Sequence, residues 1–294
     1  MRKVGFAGLG IMGSRMAARL VARGFDVTVW DKDALNVGAL VAKGARVASE
    51  PAAIVRDADV VVTMLWDDAV AEEIVGGQLI PAAHPGTTFI EMTTITPAMQ
   101  RQLAAAAQTR GCDFLDSPVT GSKEQAERGE LGTLVGGREE VLEKNRDVLE
   151  TMTAKITHVG PNGASGAVKL ANNQLIALAM SAWGESVRMA EAAGVDRAFA
   201  IQMFAGTFGR VAEMKWRSII AHDFEAHFTL DAILKDIKAA LRTAESAYID
   251  LPVLRAALPQ YEAAFTDGDG RSDFSIIVDR IASASTRQPE PTVT

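Results

Sequence analysis

At 294 residues and 48% hydrophobic, the chain is long enough for two medium domains, each with a sizeable core. A net charge of -7 leaves no basic footprint for nucleic acid or an anionic membrane surface, so the expected partner is a small molecule. Cys112 is the only cysteine, which excludes an internal disulfide and fits a reducing cytoplasm.

The first residues, "MRKVGFAGLG", read as a strand running into a glycine turn rather than as a signal segment. From there to about residue 160 the pattern alternates β-branched runs with helical stretches: "KVGFAG", "GSRMAARLVARG", "DVTVWD", "ADVVVTML", "TTFIEMTT" and "CDFLDSPV". Such alternation predicts an α/β Rossmann-type domain over 1–162, with a parallel sheet covered by helices on both faces. After Gly163 the strand signal stops, and residues 164–193 read as one long helix ended by Gly194. Further helices are expected near 197–206, 211–221, 232–248 and 252–266, so residues 163–285 are predicted to be all-helical, built on the long interdomain helix. The polar tail 286–294 reads as disordered. No run of about 18 uncharged apolar residues occurs, so no membrane span is predicted and the protein reads as soluble. His84, His158, His222 and His227 lack ligand spacing, and no metal site is expected.

Gly8, Gly10 and Gly13 stand in G-x-G-x-x-G spacing between a strand and a helix. That pattern supplies a tight turn, room for a pyrophosphate and close helix–strand packing, so Gly8, Leu9, Gly10, Ile11, Met12 and Gly13 are the expected dinucleotide turn. Asp31, at the end of the next strand, is placed to grip ribose hydroxyls and to repel a 2′-phosphate, which leans the cofactor toward NAD. Lys32 beside it could instead pair with the extra phosphate of NADP, and as a sequence feature it reads equally well as a solvated loop lysine.

On the long helix, Lys169 and Asn173 stand at i and i+4 and share a face. Taken alone, the pair is most simply a snorkelling lysine with an incidental asparagine. The wider context reads differently. "GLGIMG", "MLWDDAV", "EMTTITP", "DSPVTGSKEQAERGELGTLVGG", "GAVKLANN" and "FTLDAILKD" occur in an order and at separations that resemble the β-hydroxyacid dehydrogenase family, in particular the group of 3-hydroxyisobutyrate dehydrogenases and glyoxylate or succinic semialdehyde reductases. The resemblance runs from about residue 2 to residue 285.

It implies that Lys169 exchanges a proton with the substrate oxygen and that Asn173 positions that oxygen. Thr120, Gly121 and Ser122 fall on the substrate-carboxylate loop, Thr94 beside the nicotinamide ribose, and Leu65 on the cofactor cleft. Phe228, Lys235 and Asp236 fall on the C-terminal wall, where the lysine approaches the cofactor. Trp66 stands where the family commonly has proline, and Glu91 where aspartate is common. The run Asp31-Lys32-Asp33 replaces the Asn-Arg-Thr of NADP-preferring relatives. The implied activity is NAD(P)-dependent hydride transfer on a small hydroxy acid or semialdehyde, by a homodimer or homotetramer. Imine reduction, which relatives of this architecture perform usually without the lysine, and a non-catalytic dinucleotide-binding scaffold are the alternatives. Phe204, Phe208, Trp216 and Phe228 are the side chains expected to sort substrates.

Overall fold

The computed structural model describes residues 1–283, and the tail expected to be disordered lies outside them. The chain divides into two compact units, Met1–Ala171 and Asn172 onward. Both are described separately.

The first unit is built on a sheet whose strands, in chain order, are β1 (Lys3–Ala7), β2 (Asp26–Trp30), β3 (Arg46–Val47), β4 (Val60–Thr63), β5 (Thr88–Glu91), β6 (Asp113–Asp116), β7 (Val119–Thr120), β8 (Leu131–Gly136) and β9 (Thr153–Gly160). The order runs β3-β2-β1-β4-β5-β6-β8-β7, with β9 pairing β8. Strands β1 to β6 are parallel to one another. Burial explains their composition: β4 "VVVT" and β5 "TFIE" are covered throughout, as strands sandwiched between helices must be. Along β4 the two cores alternate. Val60 and Val62 pack with Met16, Ala17 and Leu20 of the helix Gly13–Ala22. Val61 points the other way, toward Val75, Leu79 and Leu103.

The expected all-parallel sheet is exceeded at one side, where β8 runs antiparallel to β6 and β7. Neither β8 "LGTLVG" nor β9 "TAKITHVG" stands out as a strand in sequence, because glycines dilute the first and β9 buries only its first residue.

The functionally decisive feature is the reversal of strand order at the β1–β4 boundary. Ligands of open α/β sheets bind outside the carboxyl ends of the strands at such a reversal. Gly8 follows β1 directly, Asp31 follows β2, Leu65 follows β4 by two residues, and Thr94 follows β5 by three.

The second unit is helical, as expected. The long helix, Ala164–Ala192, starts in the first unit and continues into the second. Helices Arg197–Phe208, Arg210–Ile220, Leu230–Ser246, Pro252–Thr266 and Ile276–Ser283 follow. Leu230–Ser246 is amphipathic, burying Ile233, Leu234, Ile237, Leu241 and Ala244 along one stripe. Within this unit the buried Tyr261 hydroxyl donates to the Ala177 carbonyl at 2.6 Å, and the Trp183 and Phe208 rings lie 6.2 Å apart. No helix among the described residues is long and apolar enough to cross a membrane.

Candidate active site

The glycine turn is shaped by two glycines that must be glycine and one that the fold itself does not require. Gly8 has φ +92°, and a Cβ there would sit 2.2 Å from the Met64 carbonyl oxygen. A Cβ at Gly13 would meet the Gly8 carbonyl oxygen at 1.9 Å, so the helix can start against the strand only without a side chain. Gly10 is different: nothing lies within 4 Å of where its Cβ would be. Open space at the middle glycine is what a pyrophosphate approaching the backbone needs, and the helix Gly13–Ala22 opens there with no side-chain cap on its first amides. The residues present therefore fit a dinucleotide.

Asp31 is tied into this turn. Its Oδ2 accepts from the Leu9 amide at 2.5 Å, and its Oδ1 accepts from the Asp33 amide at 2.8 Å and from Asn36 Nδ2 at 3.1 Å. The acidic residue read from sequence as the ribose anchor is thus held rigidly beside the glycines, while Lys32 is exposed.

A buried polar relay joins the β4 and β5 loops, and only part of it was legible in sequence. The Leu65 amide donates to Thr93 Oγ1 at 2.8 Å, so backbone contact from Leu65 to a ligand must run through its carbonyl. The Thr93 amide donates to Glu91 Oε1 at 2.8 Å, and Thr63 Oγ1 lies 2.6 Å from Glu91 Oε2. A second tie comes from Thr96, whose amide and hydroxyl both donate to Asp68 at 2.8 Å. Glu91, where the family commonly has aspartate, is the centre of the relay. Burial pushes its carboxyl above the ordinary value of 4.5, Thr63 and Thr93 oppose the rise, and the nearby Asp116 adds to it.

The sign of that shift makes a prediction. A carboxyl raised in the folded state contributes no penalty below its unfolded value of 4.5, and the fold loses stability as pH rises through the folded value. Glu91→Gln keeps an acceptor for the Thr93 amide and a donor toward Thr63 without a charge to bury. In thermal melts, the variant should gain on the wild type as pH rises above 4.5 and lose that advantage in acid. A pH-independent difference in Tm would contradict this assignment.

The loop after β7 is more committed than its sequence implies. Ser122 caps the helix Lys123–Arg128 in a reciprocal box: its amide donates to Gln125 Oε1 at 2.9 Å and its Oγ accepts from the Gln125 amide at 3.4 Å. Gly121 has φ +135°, where a Cβ would press on Leu131 and Gln125, so the turn demands glycine. Thr120 Oγ1 donates to the Gly132 carbonyl at 3.4 Å.

Lys169 is partly buried on the long helix, with Asn173 one turn on and fully covered. Within the second unit, Asn173 Nδ2 donates to Asp236 Oδ2 at 2.6 Å, while Lys235 Nζ lies 2.8 Å from Asp236 Oδ1. Sequence alone allowed Lys235 and Asp236 to be a solvated pair; their side chains are only 16% and 1% exposed. Asp236 therefore orients the Asn173 amide, and Nδ2 keeps a second hydrogen. Phe228 packs edge-on against Phe274, ring centroids 5.5 Å apart, and its loop is fastened by Asp273, which accepts from the His227 and Phe228 amides and from Lys215 Nζ at 2.8 Å. Burial alone would raise Asp273, but the Lys215 ammonium and Ser275 hold its carboxyl below the usual aspartate value of 3.8. Neither Asp273 nor Lys215 stood out in sequence, being single charges 58 residues apart.

The model of the NAD-binding domain of 6-phosphogluconate dehydrogenase matches residues 3–160, and that of the NAD-binding domain of NADP-dependent 3-hydroxyisobutyrate dehydrogenase matches 163–281. The chain belongs to the β-hydroxyacid dehydrogenase family. Among its relatives in the family are 2-(hydroxymethyl)glutarate dehydrogenase of Eubacterium barkeri, 31% identical over 94% of this chain and 93% of the relative, and NAD-dependent L-serine dehydrogenase of Pseudomonas aeruginosa, 32% identical over 94% and 97%. The solved structure of Mycobacterium tuberculosis 3-hydroxyisobutyrate dehydrogenase with L-serine is similar over 96% of this chain and 99% of that one, with 30% identity and a TM-score of 0.87. As a β-hydroxyacid dehydrogenase, this protein is an NAD(P)-dependent oxidoreductase of hydroxy acids.

Proposed function

We propose that the protein interconverts a short carboxylate-bearing semialdehyde or ketone and its hydroxy acid, with Lys169 as the general acid–base, Asn173 holding the reacting oxygen, and NAD as the preferred cofactor. The observation that carries this reading is the gathering of the glycine turn with Asp31, the Thr120–Ser122 loop and the partly buried Lys169 in one compact unit. When bound, the nicotinamide supplies or accepts the hydride. Gly8, Leu9, Gly10, Ile11, Met12 and Gly13 hold the pyrophosphate, Asp31 the adenosine ribose, and Leu65 and Thr94 the nicotinamide side. Lys235 and Asp236 belong to the cofactor side, Lys235 also pairs with Asp236, and Asp236 aims the second Asn173 N–H at the substrate oxygen.

In reduction Lys169 gives a proton to the carbonyl oxygen, and in oxidation it removes one from the hydroxyl. The Thr120–Ser122 loop receives the substrate carboxylate, through groups other than the Ser122 amide, which Gln125 already occupies. Phe228 forms an apolar wall. The functional division proposed is a dinucleotide-binding part over 1–162 and a helical part over 163–285 that assembles the oligomer. Leu175 and Met189, 67% and 73% exposed on the long helix, favour a homodimer or homotetramer, and the single buried Cys112 fits a cytoplasmic setting.

Steady-state kinetics with NAD and NADP, each paired with a panel of C2–C5 hydroxy acids and semialdehydes, tests the proposal. A preference for NAD of about tenfold in kcat/KM is expected, the equivalent of about 1.4 kcal/mol, and Asp31→Ala should erase it. Equal use of both cofactors, or turnover confined to cyclic imines, would overturn the corresponding part of the reading. Light scattering on the same preparation should give a mass of two or four chains, and a monomer would remove the assembly.

A further inference from the structure

We infer that Asp116 is the positioning residue of the active site, setting the height and rotation of Lys169 relative to the carboxylate loop. This rests on the acid–base role proposed for Lys169. Asp116 is the last residue of β6 and is fully buried. Its carboxyl collects donors from the residues that lead into and open the long helix: Asn162 Nδ2 at 2.7 Å, the Gly163 amide at 3.2 Å to each oxygen, and Ser165 Oγ at 2.5 Å. The next amide of the same turn, Gly166, donates to the buried Gln100 Oε1 at 3.0 Å. The helix start is therefore bolted to the sheet from one side and to the helix Pro97–Thr109 from another.

Close packing reinforces the bolt. A Cβ at Gly136 would reach Asp116 Oδ2 at 2.2 Å, one at Gly163 would reach Arg101 Nη1 at 2.6 Å, and one at Gly166 would reach Gln100 Oε1 at 2.4 Å. Three glycines clear the space that lets the helix seat at this depth.

Lys169 lies four residues beyond Ser165, on the same face one turn up. A helix turns 100° and rises about 1.5 Å per residue, so a start that slips by one position swings the amine away from its target. The same aspartate also stands at the root of the carboxylate loop. Ser117 follows it, Thr133 Oγ1 donates to the Ser117 carbonyl at 2.9 Å, and β7 then runs into Gly121. One residue thus ties the helix that carries the proton-transferring amine to the strand end from which the carboxylate loop departs.

The test compares Asp116→Asn, Ser165→Ala and Ser165→Thr with the wild type. Three readouts apply: kcat and KM for substrate and cofactor, hydrogen exchange of the peptide spanning 160–172 in the cofactor-free protein, and acylation of Lys169 followed by mass spectrometry. Asp116→Asn should lower kcat on the order of 10²-fold, as an ångström of misplacement does, with KM for the cofactor unchanged. It should also cost the 160–172 peptide its exchange protection and alter the Lys169 acylation rate. Ser165→Ala should do the same more weakly, and Ser165→Thr should restore the wild-type values.

Unchanged kcat and exchange in folded Asp116→Asn would overturn the inference, as would a uniform loss of protection across the chain with kcat and cofactor KM worsening together. Should Asp116→Asn fail to fold, the Ser165 pair decides, and no rescue by threonine counts against the inference. Full activity of Lys169→Ala would sink the acid–base role instead, while the exchange data would still report whether Asp116 seats the helix.

Discussion

Lys169→Ala is expected to lower kcat by about two to four orders of magnitude, the ordinary contribution of a placed proton donor. KM for the cofactor should barely move, because Lys169 stands on the helix and not on the glycine turn. The substitution should leave the fold intact: the helix start is held by Asp116 and Gln100, and alanine is the best helix former. Lys169→Arg should recover little, since a guanidinium keeps its charge and cannot alternate between protonated and neutral forms near neutral pH. Binding of the reduced cofactor, followed by fluorescence, provides the control. A variant that binds it normally and turns over normally would remove Lys169 from the reaction.

The second large effect separates Gly10 from its neighbours. Gly10→Ala should yield a protein that melts close to the wild type, since its Cβ enters open space, yet one whose affinity for either dinucleotide falls by at least about tenfold, or about 1.4 kcal/mol. Gly13→Ala should instead damage the fold itself, because its Cβ would lie 1.9 Å from a carbonyl oxygen. Overpacking of a rigid site costs about 1–3 kcal/mol or more, visible as a lowered Tm. Calorimetric titration and melting of both variants would settle the pattern. Normal cofactor affinity in Gly10→Ala would place the pyrophosphate elsewhere.

How much of this was legible in the chain depended on the range of the signal. The glycine turn and Asp31 announce themselves because their demands are local: a positive φ, a missing Cβ, an acid at the end of the next strand. Helix boundaries in the second unit as far as residue 266 were readable for the same reason, with Gly194 and the Asp-Gly-Asp-Gly run as stops, while the last helix, Ile276–Ser283, was not among those expected. Strands β8 and β9 escaped because their glycines and exposed side chains carry no alternation, and their pairing comes from a neighbour far away in sequence. The Glu91–Thr93–Thr63 relay and the Asp116 cluster were hidden too. Each joins residues 28 to 49 positions apart, and a threonine at a strand end has the same local appearance whether or not it holds a buried carboxyl. A carboxylate terminating an apolar run, as in "CDFLD", was the clue available for Asp116.

The long helix has a practical corollary for anyone cutting this enzyme apart. Its first two turns, through Ala171, belong to the nucleotide-binding body, and the remainder to the helical one. Severing the polypeptide after Asn162 would strip Asp116 of the Gly163 and Ser165 donors and maroon an acid in apolar surroundings. A transplantable module therefore ends no earlier than Ala171, and chimaeras between relatives should exchange the nucleotide-binding half together with the lysine-bearing turns.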